Sequence, residues 1–137
     1  WQPEIITACD SGFKPPDPLA DVRWHLVPSP VSTTFRNEYG PFGRTQTIEA
    51  VASDIGATQM PAQCRQAALV HLAPLAREVN PAIVSLFPDA FLVSTLQGWL
   101  REWDDAGAVR AARWSDAQKV LPQLEAAVVS IEDISGD

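Results

Sequence analysis

Two amides, an aromatic ring and an aliphatic side chain fall on one face of a single expected hairpin, a combination suited to stacking on a sugar ring and bonding its hydroxyls. The stretch VPSPVSTTFRNEYGPFGRTQTIEA, residues 27–50, reads as two strands around a glycine-proline turn. With the turn at Gly40 to Gly43, strand alternation sets Tyr39 opposite Arg44, Asn37 opposite Gln46 and Phe35 opposite Ile48. Arg36, Glu38, Thr45 and Thr47 take the other face. A flat apolar surface stacks on a sugar ring while amides bond its hydroxyls. The same residues also fit a plainer arrangement, with Phe35 and Ile48 packed on the core and Asn37 and Gln46 at the rim, and composition by itself favours it.

Other chemistry-bearing residues give less. Cys9 and Cys64 are far apart and have no CxxC partner or histidine cluster in sequence, so they read as buried free thiols of a reducing compartment. His25 and His71 lie inside apolar strands, where a lone histidine is more often a satisfied core residue than a ligand. GPFGRT has two residues between its glycines and an arginine after them, whereas a phosphate loop needs four and a lysine. No GxGxxG, HExxH or GxSxG is present. Trp99 and Trp103 flank an amphipathic stretch around Arg101 and read as packing against a sheet.

The elements that must position these residues alternate between strand and helix. EIITAC (4–9) is a short apolar run rich in β-branched residues and reads as a buried strand, closed by DSG. KPPDPLAD (14–21) carries three of the twelve prolines and is a loop, because proline lacks the amide proton and restricts its predecessor. VRWHLV (22–27) reads as a half-buried strand leading into the hairpin. SDIGATQMPAQC reads as a loop with a short helix, and AALVHLAP (67–74) as another apolar strand. REVNPAIVSLFP (77–88) reads as helical, with Asn80 as N-cap and Pro81 at the first helical position. AFLVSTL (90–96) follows as a strand, then a DDAG turn, a helix over 115–124 capped by Ser115, and a strand over 126–131. Continuous apolar strands alternating with helices imply an α/β fold with a parallel sheet covered by helices.

A chain of 137 residues, 46% hydrophobic and 20% charged, is long enough for one domain and too short for two ordinary ones. A net charge of -7, with only ten Lys and Arg scattered along the chain, provides no basic patch for nucleic acid or anionic lipid. The longest apolar run, AALVHLAPLA, is interrupted by His71 and Pro74 and falls short of the roughly 20 residues of a bilayer span. A soluble, cytoplasmic protein is expected. The chain opens at Trp1, without methionine, directly into an apolar strand, as a segment of a longer protein does.

The order of the segments is more informative than any one of them. IITACDSG, VPSPVSTTFRNEYGPFGRTQ, ALVHLAPLAREVNPAIVSLFP, AFLVSTLQGWLREWDDAGAV and VLPQLEAAVVSIEDI, in that succession, resemble the middle of the ribokinase-like (PfkB) carbohydrate kinase family over nearly the whole chain. The resemblance implies a partial ribokinase-like parallel sheet flanked by helices, with residues 31–52 projecting as an antiparallel β-hairpin lid. It implies a parent enzyme that transfers the γ-phosphate of ATP, with Mg2+, to a hydroxyl of a sugar or nucleoside. Phe35, Asn37, Gln46 and Ile48 are then the lid face turned toward substrate, or toward the lid of a second subunit in a homodimer.

Where the family has Asn-x-x-Glu after a central strand, ordering magnesium and its waters, this chain has Ser130, Ile131, Glu132 and Asp133. The resemblance assigns Asp133, with Glu132, to Mg2+ through water, since hard oxygen ligands suit that ion. Without the family context these are ordinary acids of a helix start, favoured by the macrodipole. The family's Gly-Gly segment would precede Trp1 and its Gly-Ala-Gly-Asp segment, with catalytic base and anion hole, would follow Asp137. No catalytic residue is therefore expected within these 137 residues, and the chain alone should be inactive. A non-catalytic sugar-binding module, or one that dimerises through the hairpin, is the alternative.

Overall fold

The computed structural model describes residues 2–41 and 43–134. Trp1, Phe42 of the expected turn and the end of the EDISGD stretch (135–137) lie outside the described residues. The apolar runs form parallel strands. β1 (Glu4–Cys9) pairs with β2 (Arg23–Pro28), Glu4 opposite Arg23 and Cys9 opposite Pro28. β5 (Leu69–Leu72), β6 (Phe91–Thr95) and β9 (Ala126–Val128) form a second parallel sheet with β6 in the centre. Between them in sequence stands an antiparallel hairpin of β3 (Thr34–Gly40) and β4 (Gly43–Ala50). Its register is the one the turn and alternation predict: Asn37 faces Gln46, Tyr39 faces Arg44 and Phe35 faces Ile48.

The helices are where expectation and structure part. Residues 81–86 form a 3-10 helix, with Asn80 Oδ1 accepting from Ala82 N at 2.9 Å and Pro81 first, as anticipated. It stops there because Pro88 excludes its predecessor from helical backbone, and Phe87 turns out at φ -127 and ψ 56. The expected helix over 115–124 is one α-turn, α1 (Ala117–Val120), then a 3-10 turn over Leu121–Gln123. Pro122 has no N–H to continue the ladder. Ser115 is not its cap; the preceding position is Asp116, which makes no side-chain capping bond. The cover of the sheets is thus mostly short 3-10 segments, and among the described residues no helix is long and apolar enough to cross a membrane.

Leu92 and Ser94 of β6, Leu72 of β5, and Ile83, Val84, Phe87 and Trp99 from the flanking turns form the core. Beyond β6, the chain folds back in a 3-10 turn over Leu96–Leu100 into a small antiparallel pair, β7 (Arg101–Trp103) and β8 (Val109–Ala111), closed by the expected DDAG turn. Gly98 lets this turn sit directly on the Pro74 backbone, donating to Pro74 O at 3.0 Å. A Cβ there would lie 2.4 Å from the Pro74 carbonyl carbon and 2.5 Å from Leu75 N, and backbone cannot rotate away as a side chain can. Gly98→Ala should lower the unfolding free energy by about 1–3 kcal/mol, as overpacking does, in chemical denaturation of the purified chain. A cost below about 0.5 kcal/mol would show that the turn moves freely off Pro74.

Candidate functional site

The hairpin is fastened at its root to the C-terminal ends of β1 and β2. Ser29 N donates to Cys9 O at 3.0 Å, and Ser53 N to Ser29 Oγ at 2.9 Å. Ala52 N donates to Thr33 Oγ1 at 3.1 Å. Asp10, in the turn that ends β1, accepts from Gly12 N at 2.7 Å and from Ser32 Oγ at 2.5 Å, while Asp10 N donates back to Ser32 Oγ at 3.1 Å. The Ser32 hydroxyl, then the Gly12 N–H, hold the Asp10 carboxyl below its ordinary value of 3.8. A depressed carboxyl stabilises the fold above its unfolded-state value and loses that contribution as pH falls through the lower folded value. Asp10→Asn should therefore lower the melting temperature at pH 6, and the gap to wild type should close as the pH drops below 3.8. A gap independent of pH would show that the carboxylate charge plays no part in holding the root.

Beyond the root, the hairpin meets the elements that follow β6 and β9. Arg101, at the start of β7 and 6% exposed, reaches Asp133 Oδ1 at 3.1 Å in α2 (Ile131–Ile134), where Asp133 is 5% exposed. The same guanidinium lies 5.9 Å from the centre of the Phe35 ring, within cation–π range. Burial draws the Arg101 pKa down, and the adjacent Asp133 charge opposes that shift. Arg44 of the hairpin bonds Glu132 Oε2 at 2.9 Å, joining residues 88 apart in sequence. Gln46 Nε2 donates to Asn37 Oδ1 at 2.9 Å, which leaves the Asn37 amide group and the Gln46 carbonyl for other partners. Ile48 turns inward at 8% exposure, its N–H donating to Gly107 O at 2.8 Å. Gly107, at φ +80, has no room for a side chain there: a Cβ would lie 2.4 Å from Ile48 O.

A cleft of about 390 Å³ lies between β4, β8 and α2, lined in part by Arg44, Gln46, Arg101, Arg110, Glu132 and Asp133. Its charged groups are three guanidiniums and two carboxylates, suited to a polyhydroxyl or anionic ligand. Of the residues singled out from sequence, Gln46, Glu132 and Asp133 line it directly, Asn37 reaches it through Gln46 and Phe35 touches its Arg101 wall. Ile48 is not among its lining residues and is buried. Sequence reasoning assigned no role to Arg44, Arg101 or Arg110. The signal for Arg101 was a cation between two tryptophans just beyond a buried strand, where a charge needs a partner.

The two histidines are not core residues. His71 is exposed and bonds Thr95 Oγ1 at 2.9 Å, and half-buried His25 bonds Glu4 Oε2 at 2.5 Å. Cys9 is a buried free thiol as expected, whereas Cys64 is only half-buried and faces Glu4 and His25.

The fold is similar to that of solved kinases. One is a pyrophosphate-dependent kinase in the ribokinase family in a sulfate complex, at TM-score 0.73 and 18% identity, covering 93% of this chain and 47% of that one. A second is a pyrophosphate-dependent kinase of the same family complexed with a pyrophosphate analog and myo-inositol, at TM-score 0.73, 18% identity and coverages of 95% and 47%. A third is a pyrophosphate-dependent myo-inositol-1 kinase converted to a myo-inositol-3 kinase, at TM-score 0.73, 16% identity and coverages of 95% and 46%. The fold is ribokinase-like. The chain spans about half the length of these kinases. No family model and no curated protein matches the sequence. In this ribokinase-like fold the cleft lies beyond the carboxyl ends of parallel strands, where open α/β sheets bind their ligands.

Proposed function

We propose that this chain is the hairpin-bearing part of a cytoplasmic kinase of the ribokinase-like (PfkB) type, which transfers a phosphoryl group to a hydroxyl of a sugar, nucleoside or cyclic polyol. The observation that carries this reading is the cleft under β4, which combines the Asn37–Gln46 amide pair with Arg44 and Arg101 at the C-terminal side of the strands. The hairpin, residues 31–52, acts as the lid. Closing it excludes water from phosphoryl transfer, where an open site would lose the donor to hydrolysis. Within the lid, Asn37 and Gln46 bond substrate hydroxyls, Phe35 supplies the apolar wall and Ile48 holds that wall in place.

The phosphoryl donor is ATP in this reading, with pyrophosphate as the alternative suggested by the kinases of like fold. Magnesium entering with the donor supplies charge neutralisation on the transferring group. Its water-mediated partner would be Glu132 before Asp133, because Glu132 is exposed and Asp133 is buried against Arg101.

Full-length protein offered myo-inositol, aldoses and nucleosides with either donor should yield a phosphorylated product. Gln46→Ala and Asn37→Ala should raise KM for the acceptor by about tenfold, the loss of roughly one hydrogen bond, with a smaller effect on kcat. No product from any acceptor with either donor would overturn the reading. Residues 1–137 alone should give no turnover. The exposed hairpin tip, where Tyr39 is 81% exposed, favours one second reading, a non-catalytic module that dimerises through the hairpin. Concentration-dependent dimerisation lost in Tyr39→Glu, in a full-length protein without turnover, would support it.

A further inference from the structure

At the opposite end of β1 from the hairpin root, three side chains from distant segments converge. Glu4 opens β1 and His25 lies in β2, and the register that sets Glu4 opposite Arg23 and Ile6 opposite His25 puts both side chains on one face. Cys64 is brought onto that face by the 3-10 turn over Ala62–Gln66. Cys64 Sγ lies 3.4 Å from Glu4 Oε2 and 3.8 Å from His25 Nε2, and Glu4 Oε2 lies 2.5 Å from His25 Nε2. One sulfur, one imidazole nitrogen and one carboxylate oxygen thus fall within 4.8 Å of one another.

The geometry points to a binding site for a single zinc-class divalent cation held by Glu4, His25 and Cys64. Zinc bonds sulfur at about 2.3 Å and nitrogen or oxygen at about 2.0–2.1 Å, so the edges of its tetrahedron run roughly 3.3–3.6 Å. Two of the three separations, 3.4 and 3.8 Å, are already close to those edges. The third is a hydrogen bond that must open by about 0.8 Å, a small rotation of the Glu4 side chain. The mixed S, N and O set selects against magnesium and calcium, which take oxygen ligands.

On binding, Cys64 releases its proton to solvent and ligates as thiolate. His25 binds through an unprotonated Nε2 with its proton on Nδ1, and Glu4 binds as carboxylate. One thiolate and one carboxylate balance the two charges of the ion, and water completes the fourth position. Glu4 is oriented for this by Arg23, whose guanidinium lies 3.4 Å from Oε1 and leaves Oε2 turned toward the other two ligands. Glu4 to Cys9 spans five strand steps, roughly 16 Å, which places the ion well away from the hairpin root and gives it the role of tying the 62–66 turn to the β1–β2 pair.

Cobalt(II) is the probe. Chelator-treated full-length protein should take up one equivalent with the visible bands of a tetrahedral site and a thiolate charge-transfer band, and zinc should displace it. Cys64→Ser should abolish the charge-transfer band, and His25→Ala should weaken cobalt uptake at least about tenfold. Cys9→Ser, which removes the other thiol, should change neither. Zinc should raise the melting temperature of wild type and leave that of His25→Ala unmoved. A charge-transfer band that survives in Cys64→Ser, or wild type that shows no saturable uptake of one equivalent, overturns the site.

Discussion

Asp133→Ala should lower the unfolding free energy by about 3–5 kcal/mol, the cost of leaving a buried charge without its partner. Arg101 and Asp133 are 6% and 5% exposed, so removing the carboxylate leaves a largely desolvated guanidinium without its ion-pair partner. The double replacement Arg101→Met with Asp133→Leu should recover most of the loss, since a buried pair exchanged for packed apolar groups is close to neutral. Denaturant midpoints of the two singles and the double measure this directly. A single-mutant cost below about 1 kcal/mol would mean that Arg101 is solvated and that α2 is not closed over β7. The pair also matters for the site. Arg101 is the contact between Phe35 of the hairpin and α2, so the double mutant should fold yet bind acceptor more weakly than wild type.

The second large effect is expected at Trp99. The indole is 2% exposed, its Nε1 donates to Val79 O at 2.7 Å, and its ring stacks on Trp114 with centroids 4.7 Å apart and planes at 17°. Trp99→Ala should destabilise by about 3–5 kcal/mol through lost burial and the cavity it leaves. Trp99→Phe keeps an aromatic ring but strands the Val79 carbonyl, and should fall between the two at about 1–3 kcal/mol. Equal costs for the two replacements would show that the hydrogen bond, and not the packed surface, holds the β6–β7 turn. This turn delivers Arg101 to the cleft two residues later, so loss of Trp99 should weaken acceptor binding even at temperatures where the chain stays folded.

Much of the framework was legible along the chain because it depends on short-range physics. A period-two pattern and a glycine turn set the β3–β4 register, down to Asn37 opposite Gln46. Continuous apolar runs announced β1, β5, β6 and β9 as parallel strands, although β9 is shorter than the 126–131 run and lies exposed, and the Asn80–Pro81 pair announced a helix start. The sequence also sets the helix lengths: Pro88 and Pro122 each end what hydrophobic spacing alone would extend.

The ion pairs and clusters were not legible, and the reason is distance along the chain. Arg44 meets Glu132 across 88 residues, Arg101 meets Asp133 across 32, and Glu4 meets Cys64 across 60. No local propensity carries such pairings, since each arises only when separate strands end side by side and their turns are packed together. The sequence by itself determined the strands, the hairpin and the amide face it carries, because backbone sterics and side-chain alternation act between neighbours. Tertiary structure alone decided that Ile48 is framework, that Asp133 is held by Arg101, and that Glu4, His25 and Cys64 share one corner, because packing brings together what the chain keeps apart.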